Sequence, residues 1–114
     1  MKEGDIALAS LRQADGRAKL RPVLLLRLMP PFGDWLVCGI STQLRHEVPG
    51  FDEILDAAQA DFGASGLKAS SLIRLGFLNV LSAQQLLGAV GAVAPERHQR
   101  ILHKLCRHLL ASKS

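Results

Sequence analysis

The chain has 114 residues and is poor in cysteine, in aromatics and in long apolar runs. Its two cysteines, Cys38 and Cys106, form no CxxC pair. One sits in an apolar run and the other in a helical pattern, so each reads as a core thiol rather than a redox centre or metal ligand. A disulfide between them is not expected in a reducing compartment. No apolar run approaches the ~20 residues a membrane helix needs. The longest, Leu86 to Ala94, is interrupted by Gly88 and Gly91. The charged start, Met1-Lys2-Glu3-Gly4-Asp5, leads into a strand pattern without a secretory signal. A cytoplasmic protein with no membrane partner is therefore expected. Also missing are GxxxxGK[ST], GxGxxG after a strand, HExxH and any Cys/His zinc spacing, so neither a metal nor another cofactor is expected.

The four histidines do not fill that gap. His98, His103 and His108 recur at five-residue steps. Five residues turn a helix by about 500°, which spreads them around it as solvated side chains. His46 reads as a loop residue. Tyrosine is absent, and the five aromatics are Phe32, Trp35, Phe51, Phe62 and Phe77. Each could serve as a base-stacking platform, but core packing is the expected role of most of them, with Trp35 in the core or a dimer interface.

What is present is a core-sized share of apolar residues, 48%, in a chain long enough for one domain spanning residues 1–114. The net charge of +4 is unevenly spread. Residues 47–62 hold five acids and no base, whereas residues 95–114 hold five bases and one acid. A moderately basic chain of this kind is compatible with a polyanionic partner. The acidic run from Glu47 to Asp61 reads as a solvated loop, with a cover over a basic groove as the alternative.

Ile6 and Leu8 alternate with small residues after the turn Gly4-Asp5, which predicts a strand. Residues 12–19 read as a polar loop around Asp15-Gly16. Pro22 to Leu26 follows as a second strand, with Pro22 at its start because proline cannot donate to a ladder. Trp35 to Ser41 is a third, after the turn Pro30-Pro31-Phe32-Gly33-Asp34. Residues 44–69 fit no single pattern. Strand character resumes at Ser71 to Leu75 and Phe77 to Leu81, and again over Leu86 to Val93, with glycines where that strand bends. Pro95 and Glu96 suit a helix's first turn. Ile101, Leu102, Leu105, Cys106, Leu109 and Leu110 then recur at helical spacing, with Arg97, Arg100, Lys104 and Arg107 mostly off that stripe. The predicted fold class is mainly β, a small SH3-like barrel or bent antiparallel sheet with a C-terminal α-helix.

Arginines and hydroxyls collect at strand ends. Arg21 precedes Pro22, Ser41-Thr42-Gln43 closes the third strand, and Lys68-Ala69-Ser70-Ser71 leads into Leu72-Ile73-Arg74. Guanidinium offers a planar fork of donors that matches phosphate oxygens. Ser, Thr and Gln can reach base edges or a ribose 2′-hydroxyl. Taken singly, each is better explained as a surface cation or a turn-capping hydroxyl, and only the combination points to a site.

Four segments in order resemble the MazF/PemK family of toxin–antitoxin ribonucleases. They are Gly4-Asp5-Ile6-Ala7-Leu8; Ala18-Lys19-Leu20-Arg21-Pro22-Val23-Leu24-Leu25-Leu26; Val37-Cys38-Gly39-Ile40-Ser41-Thr42-Gln43; and Ser65-Gly66-Leu67-Lys68-Ala69-Ser70-Ser71-Leu72-Ile73-Arg74-Leu75. Gly91-Ala92-Val93-Ala94-Pro95-Glu96 resembles the family's strand-to-helix junction. The resemblance implies an SH3-like barrel, a homodimer, metal-free cleavage of single-stranded RNA, and a cognate antitoxin that blocks the site. It places catalytic roles on Arg21, Ser41 and Thr42, and substrate binding on Arg74, with Ser71, Lys19 and Gln43 beside them. Three departures stand out. Gly76 occupies a position where some members have an acid, residues 12–19 lack the His or Glu some place there, and Ser41-Thr42 reverses the usual order. A catalytically silent member is one alternative, and a non-toxin SH3-like binding module is another. A third is a relative of the gyrase poisons, against which the chain end Leu110-Ala111-Ser112-Lys113-Ser114 counts, because it lacks their aromatic.

Overall fold

Leucine-rich runs bounded by Gly, Pro and Asp turns make strands the dominant element. The structure, a computed structural model, describes residues 1–111. The last three residues of the expected 1–114 range, and with them most of the chain end set against the gyrase poisons, lie outside the described residues. One antiparallel sheet has the strand order β4-β5-β3-β2-β1-β6. Its strands are β1 (Asp5–Arg12), β2 (Ala18–Met29), β3 (Asp34–Ser41), β4 (Glu53–Leu55), β5 (Ser71–Leu81) and β6 (Leu86–Ala92). Two helices complete it, the short α1 (Phe62–Ser65) and the C-terminal α2 (Pro95–Leu110). The architecture is mainly β with a curled sheet and a terminal helix, as the pattern indicated.

Period-two alternation gives the sheet two apolar faces. On one, Ile6, Leu24, Leu26, Cys38, Ile40, Leu55, Ile73 and Leu75 pack under Ile101 and Leu105 of α2. On the other, Ala7, Ala9, Val23, Leu25, Trp35, Val37, Leu81 and Leu86 form a second cluster inside the curl. Trp35 is therefore a core residue. The curl is closed by backbone contact. α1 follows the edge strand β4 in the chain, yet Ser65 and Gly66 lie directly against Val90 and Gly91 of β6, the opposite edge. A Cβ at Gly66 or Gly91 would collide with that facing backbone, so only glycines allow the approach.

Several sequence expectations are corrected. The first loop is shorter than residues 12–19, because β2 starts at Ala18 and pairs with β1 through Arg12↔Ala18. Pro22 thus lies inside β2. Pairing of β2 with β3 begins only at Val23↔Gly39, so Pro22 sits where one side of the strand is an open edge, which tolerates a missing N–H. The two strand patterns around Gly76 form one strand with a bulge: Cys38 pairs with Leu78 and the next residue, Gly39, with Arg74. The ambiguous middle holds a 3₁₀ turn at Leu44–His46, then β4 and α1.

The acidic run is a solvated loop only in part, since Asp56 is exposed, and none of it lines the groove described below. Asp52 and Glu53 are buried. Asp52 accepts hydrogen bonds from the Leu75 and Val48 amides at 3.0 and 2.9 Å. Glu53 and Asp61 bind Arg97 at 2.9 and 2.7 Å. Arg97 is consequently on the buried stripe of α2, with Ile101 and Leu105. The stripe ends there, because Cys106, Leu109 and Leu110 are exposed. His98 is half-buried, its Nε2 at 2.9 Å from the Leu26 carbonyl oxygen. No helix among the described residues is long and apolar enough to cross a membrane.

Candidate functional site

The face that carries the second apolar cluster continues outward along β2 and β3 as a polar surface. Arg21 and Val23 share a face by alternation, as do Val37, Gly39 and Ser41. Extending the Val23↔Gly39 register by two residues brings Arg21 level with Ser41. The two strands are unpaired there, and the space between them opens as a groove. On the far side of β3, Arg74 pairs with Gly39 and so lies on the same face. The groove has a volume of about 820 Å³, and Arg21, Ser41, Thr42, Gln43, Ser71 and Arg74 all line it. Lys19 lies two residues further out along β2 and does not line it. His46 also lies outside it.

Local hydrogen bonds set what each hydroxyl can offer. The Ser41 Oγ accepts the Gln43 amide at 3.0 Å, which leaves its O–H to donate into the groove. The Ser71 Oγ donates to the Ala69 carbonyl at 2.8 Å and the residue is 3% exposed. It therefore shapes the turn and presents little to a ligand. Thr42 and Gln43 are exposed.

Three further lining residues carry charge or an aromatic ring: Arg12, Lys68 and Phe77. Arg12 is held at the hairpin by a 2.6 Å bond from Nη1 to the Gly16 carbonyl. Phe77 lies in the bulge of β5, and its ring lies over Gly39, where an added Cβ would come within 2.9 Å of Cδ1. The Arg74 guanidinium sits 5.9 Å from the ring centre. Lys68 stands in the Ser-rich turn and was visible as a strand-end cation, whereas Arg12 read as part of loop 12–19 and becomes a strand end only because β1 runs to it. Phe77 had no such signal, because only the bulge turns it into the groove.

The electrostatics follow from the lining. It contains the four cations Arg12, Arg21, Lys68 and Arg74 and no Asp, Glu or His. None of the four pairs with a carboxylate among the described residues. In the 47–62 segment, Glu53 and Asp61 are instead engaged by α2, and Asp52 by backbone amides. Burial pushes Glu53 up, but hydrogen bonds from Arg100 and Lys104 outweigh it and hold the carboxyl below its usual range. Hydrogen bonds from Arg97 do the same for Asp61. Burial pushes the Cys38 thiol up, so it stays protonated and is no nucleophile. Among the described residues no group of three or more His, Cys, Asp or Glu is placed to hold a metal ion.

The sequence profile of the PemK-like, MazF-like toxins of type II toxin–antitoxin systems matches residues 2–109. No curated protein matches the chain. Among solved structures, the Mycobacterium tuberculosis toxin MazF-mt6 superposes with a TM-score of 0.69 over 96% of this chain and 99% of that one. Its sequence identity is 19%, so the likeness is one of fold.

Proposed function

The chain belongs to the PemK-like, MazF-like toxins of type II toxin–antitoxin systems, and from that premise we propose that it is an endoribonuclease whose substrate, single-stranded RNA, lies in the groove between β2 and β3. A groove lined by four cations and no carboxylate carries this reading. Cations without carboxylate partners favour a polyanion, and RNA supplies one through its phosphates. Residues 1–114 would form one domain of this kind, acting as a homodimer in the cytoplasm. The family also implies a partner antitoxin.

The proposed reaction needs no metal. The ribose 2′-oxygen attacks the adjacent phosphorus and the bond to the 5′-oxygen breaks. The 2′-hydroxyl loses its proton, the departing 5′-oxygen gains one, and a 2′,3′-cyclic phosphate remains. Negative charge grows on the phosphoryl oxygens during attack. Arg21, standing at the unpaired edge of β2, is proposed to stabilise that charge. Ser41, with its O–H free to donate, positions the phosphate or the ribose, with Thr42 and Gln43 beside it. Arg74 clamps the backbone from the other side of β3. Lys19 and Ser71, outside the groove and buried respectively, have weaker claims as substrate contacts.

With no imidazole or carboxylate in the lining, these side chains supply charge stabilisation and positioning rather than general acid–base catalysis. That same feature favours the second reading, a silent member that binds RNA without cutting it. Single-turnover cleavage of a long unstructured RNA separates the two. In EDTA, the wild type is expected to give fragments ending in cyclic phosphate, and Arg21→Ala to be slower by about 10²–10³-fold, as for loss of one charge-stabilising donor. Undiminished cleavage by the variant would remove Arg21 from the mechanism, and no cleavage by the folded wild type would leave the silent reading.

A further inference from the structure

Of the five aromatics, Phe77 alone lines the groove. Trp35 is in the core, Phe51 packs against His108 with ring centres 4.6 Å apart, and Phe62 packs on the helix-side cluster. Phe32 is 86% exposed, in the turn between β2 and β3, and does not line the groove.

Phe77 is held in place by features that do not bury it. The β5 bulge leaves residues 75–77 outside the ladder with β3. Leu75, at the bulge, is fixed by the hydrogen bond its backbone N–H donates to the buried Asp52 carboxylate at 3.0 Å. Gly39 leaves room for the ring to lie over β3. Arg74 stands beside it, at the outer range of a cation–π contact. Even so, the residue stays 43% exposed. An aromatic ring fixed yet uncovered, among cations and without a carboxylate nearby in the lining, matches the way sequence-tolerant proteins stack unpaired bases while cations follow the phosphates.

On the basis that this groove takes RNA, we infer that Phe77, backed by Gly39 and flanked by Arg74, is the stacking platform for one unpaired base of the bound strand. The ring holds that base while Arg74 and Arg21 meet the phosphates on either side. Strand position relative to the cutting site then depends on Phe77.

The test uses the full chain and two single strands of equal length. One is a mixed-sequence 2′-O-methyl RNA, which lacks the attacking hydroxyl, and the other is the same backbone with every base removed. Dissociation constants are measured for wild type, Phe77→Ala, Phe77→Leu and Phe77→Trp, with thermal melts to verify folding. Phe77→Ala and Phe77→Leu are expected to bind the base-bearing strand about 5- to 150-fold more weakly, Phe77→Trp to retain affinity, and all four to bind the abasic strand alike. Wild-type affinity in Phe77→Ala for the base-bearing strand would overturn the platform while leaving the RNA groove standing. Equal weakening on both strands would reduce Phe77 to a scaffold for Arg74, and also overturn it. A changed self-association by ultracentrifugation with RNA affinity unchanged would assign the ring to a protein contact instead. Failure of the folded wild type to bind either strand would sink the groove reading and the platform with it.

Discussion

Arg97 is 6% exposed and holds Glu53, Asp61 and the Gln59 side chain through Nη1, Nε and Nη2. Truncation would leave Asp61 without its main partner and Glu53 with only Arg100 and Lys104. Removing one side of a buried pair is strongly destabilising, so Arg97→Ala is expected to lose about 3 kcal/mol in urea denaturation. A loss under about 1 kcal/mol would show the network to be solvated. The same residues set an acid limit. Glu53 and Asp61 have folded values below their usual ones, about 4.3 and 3.9. Their contribution is therefore complete above those values and is lost as pH falls through the lower folded ones. In thermal melts, the gap between wild type and Glu53→Gln is expected to be constant near neutrality and to narrow below about pH 4. A gap that widens there would reverse the sign. In the sequence Arg97 looked like a solvent-side cation, because a charge was weighed by type. Its spacing to Ile101 and Leu105 already placed it on the buried face.

Among the elements, the closure between α1 and β6 is what turns a bent sheet into a walled groove. Val90 lines one wall, and Gly66 leads through Leu67 to Lys68 on the same wall. An added methyl at Gly91 meets the backbone of Ala64 and Ser65, which has no side-chain freedom to yield. Gly91→Ala is expected to cost about 1–3 kcal/mol by denaturant titration, with overpacking as the cause. Stability within 0.5 kcal/mol of wild type, a roughly neutral surface effect, would mean the contact is looser than drawn. Strands β1, β2 and β3 and helix α2 were readable from alternation, turn residues and helical spacing. Segment 44–69 was not, because β4 is three residues and α1 four, too short to show a period. The β5 bulge was hidden too, since it depends on register with β3, which no local pattern carries. Arg21, Ser41, Thr42, Gln43 and Arg74 were chosen from strand ends and family motifs, and they meet in one groove only because β2 and β3 part company at Val23. Phe77 comes from that geometry, not from any motif.

Across the whole molecule, charge is segregated. The acids of residues 47–62 that are buried or paired bind backbone amides or the basic helix α2, and the groove is left with cations alone. A chain of modest net charge, +4, thereby presents one strongly positive surface. The measurement that bears most directly on the groove as the RNA site is the salt dependence of binding to a single-stranded 2′-O-methyl RNA. Each phosphate neutralised on a single strand contributes a slope of about −0.7 in log affinity against log salt. Four cations line the groove, so the wild-type slope is expected between about −2 and −3. Arg21→Ala, Lys68→Ala and Arg74→Ala should each reduce it by about 0.7, while Arg107→Ala, on α2 away from the groove, should leave it unchanged. A slope that responds to Arg107 and ignores Arg21 and Arg74 would place RNA elsewhere and contradict the site.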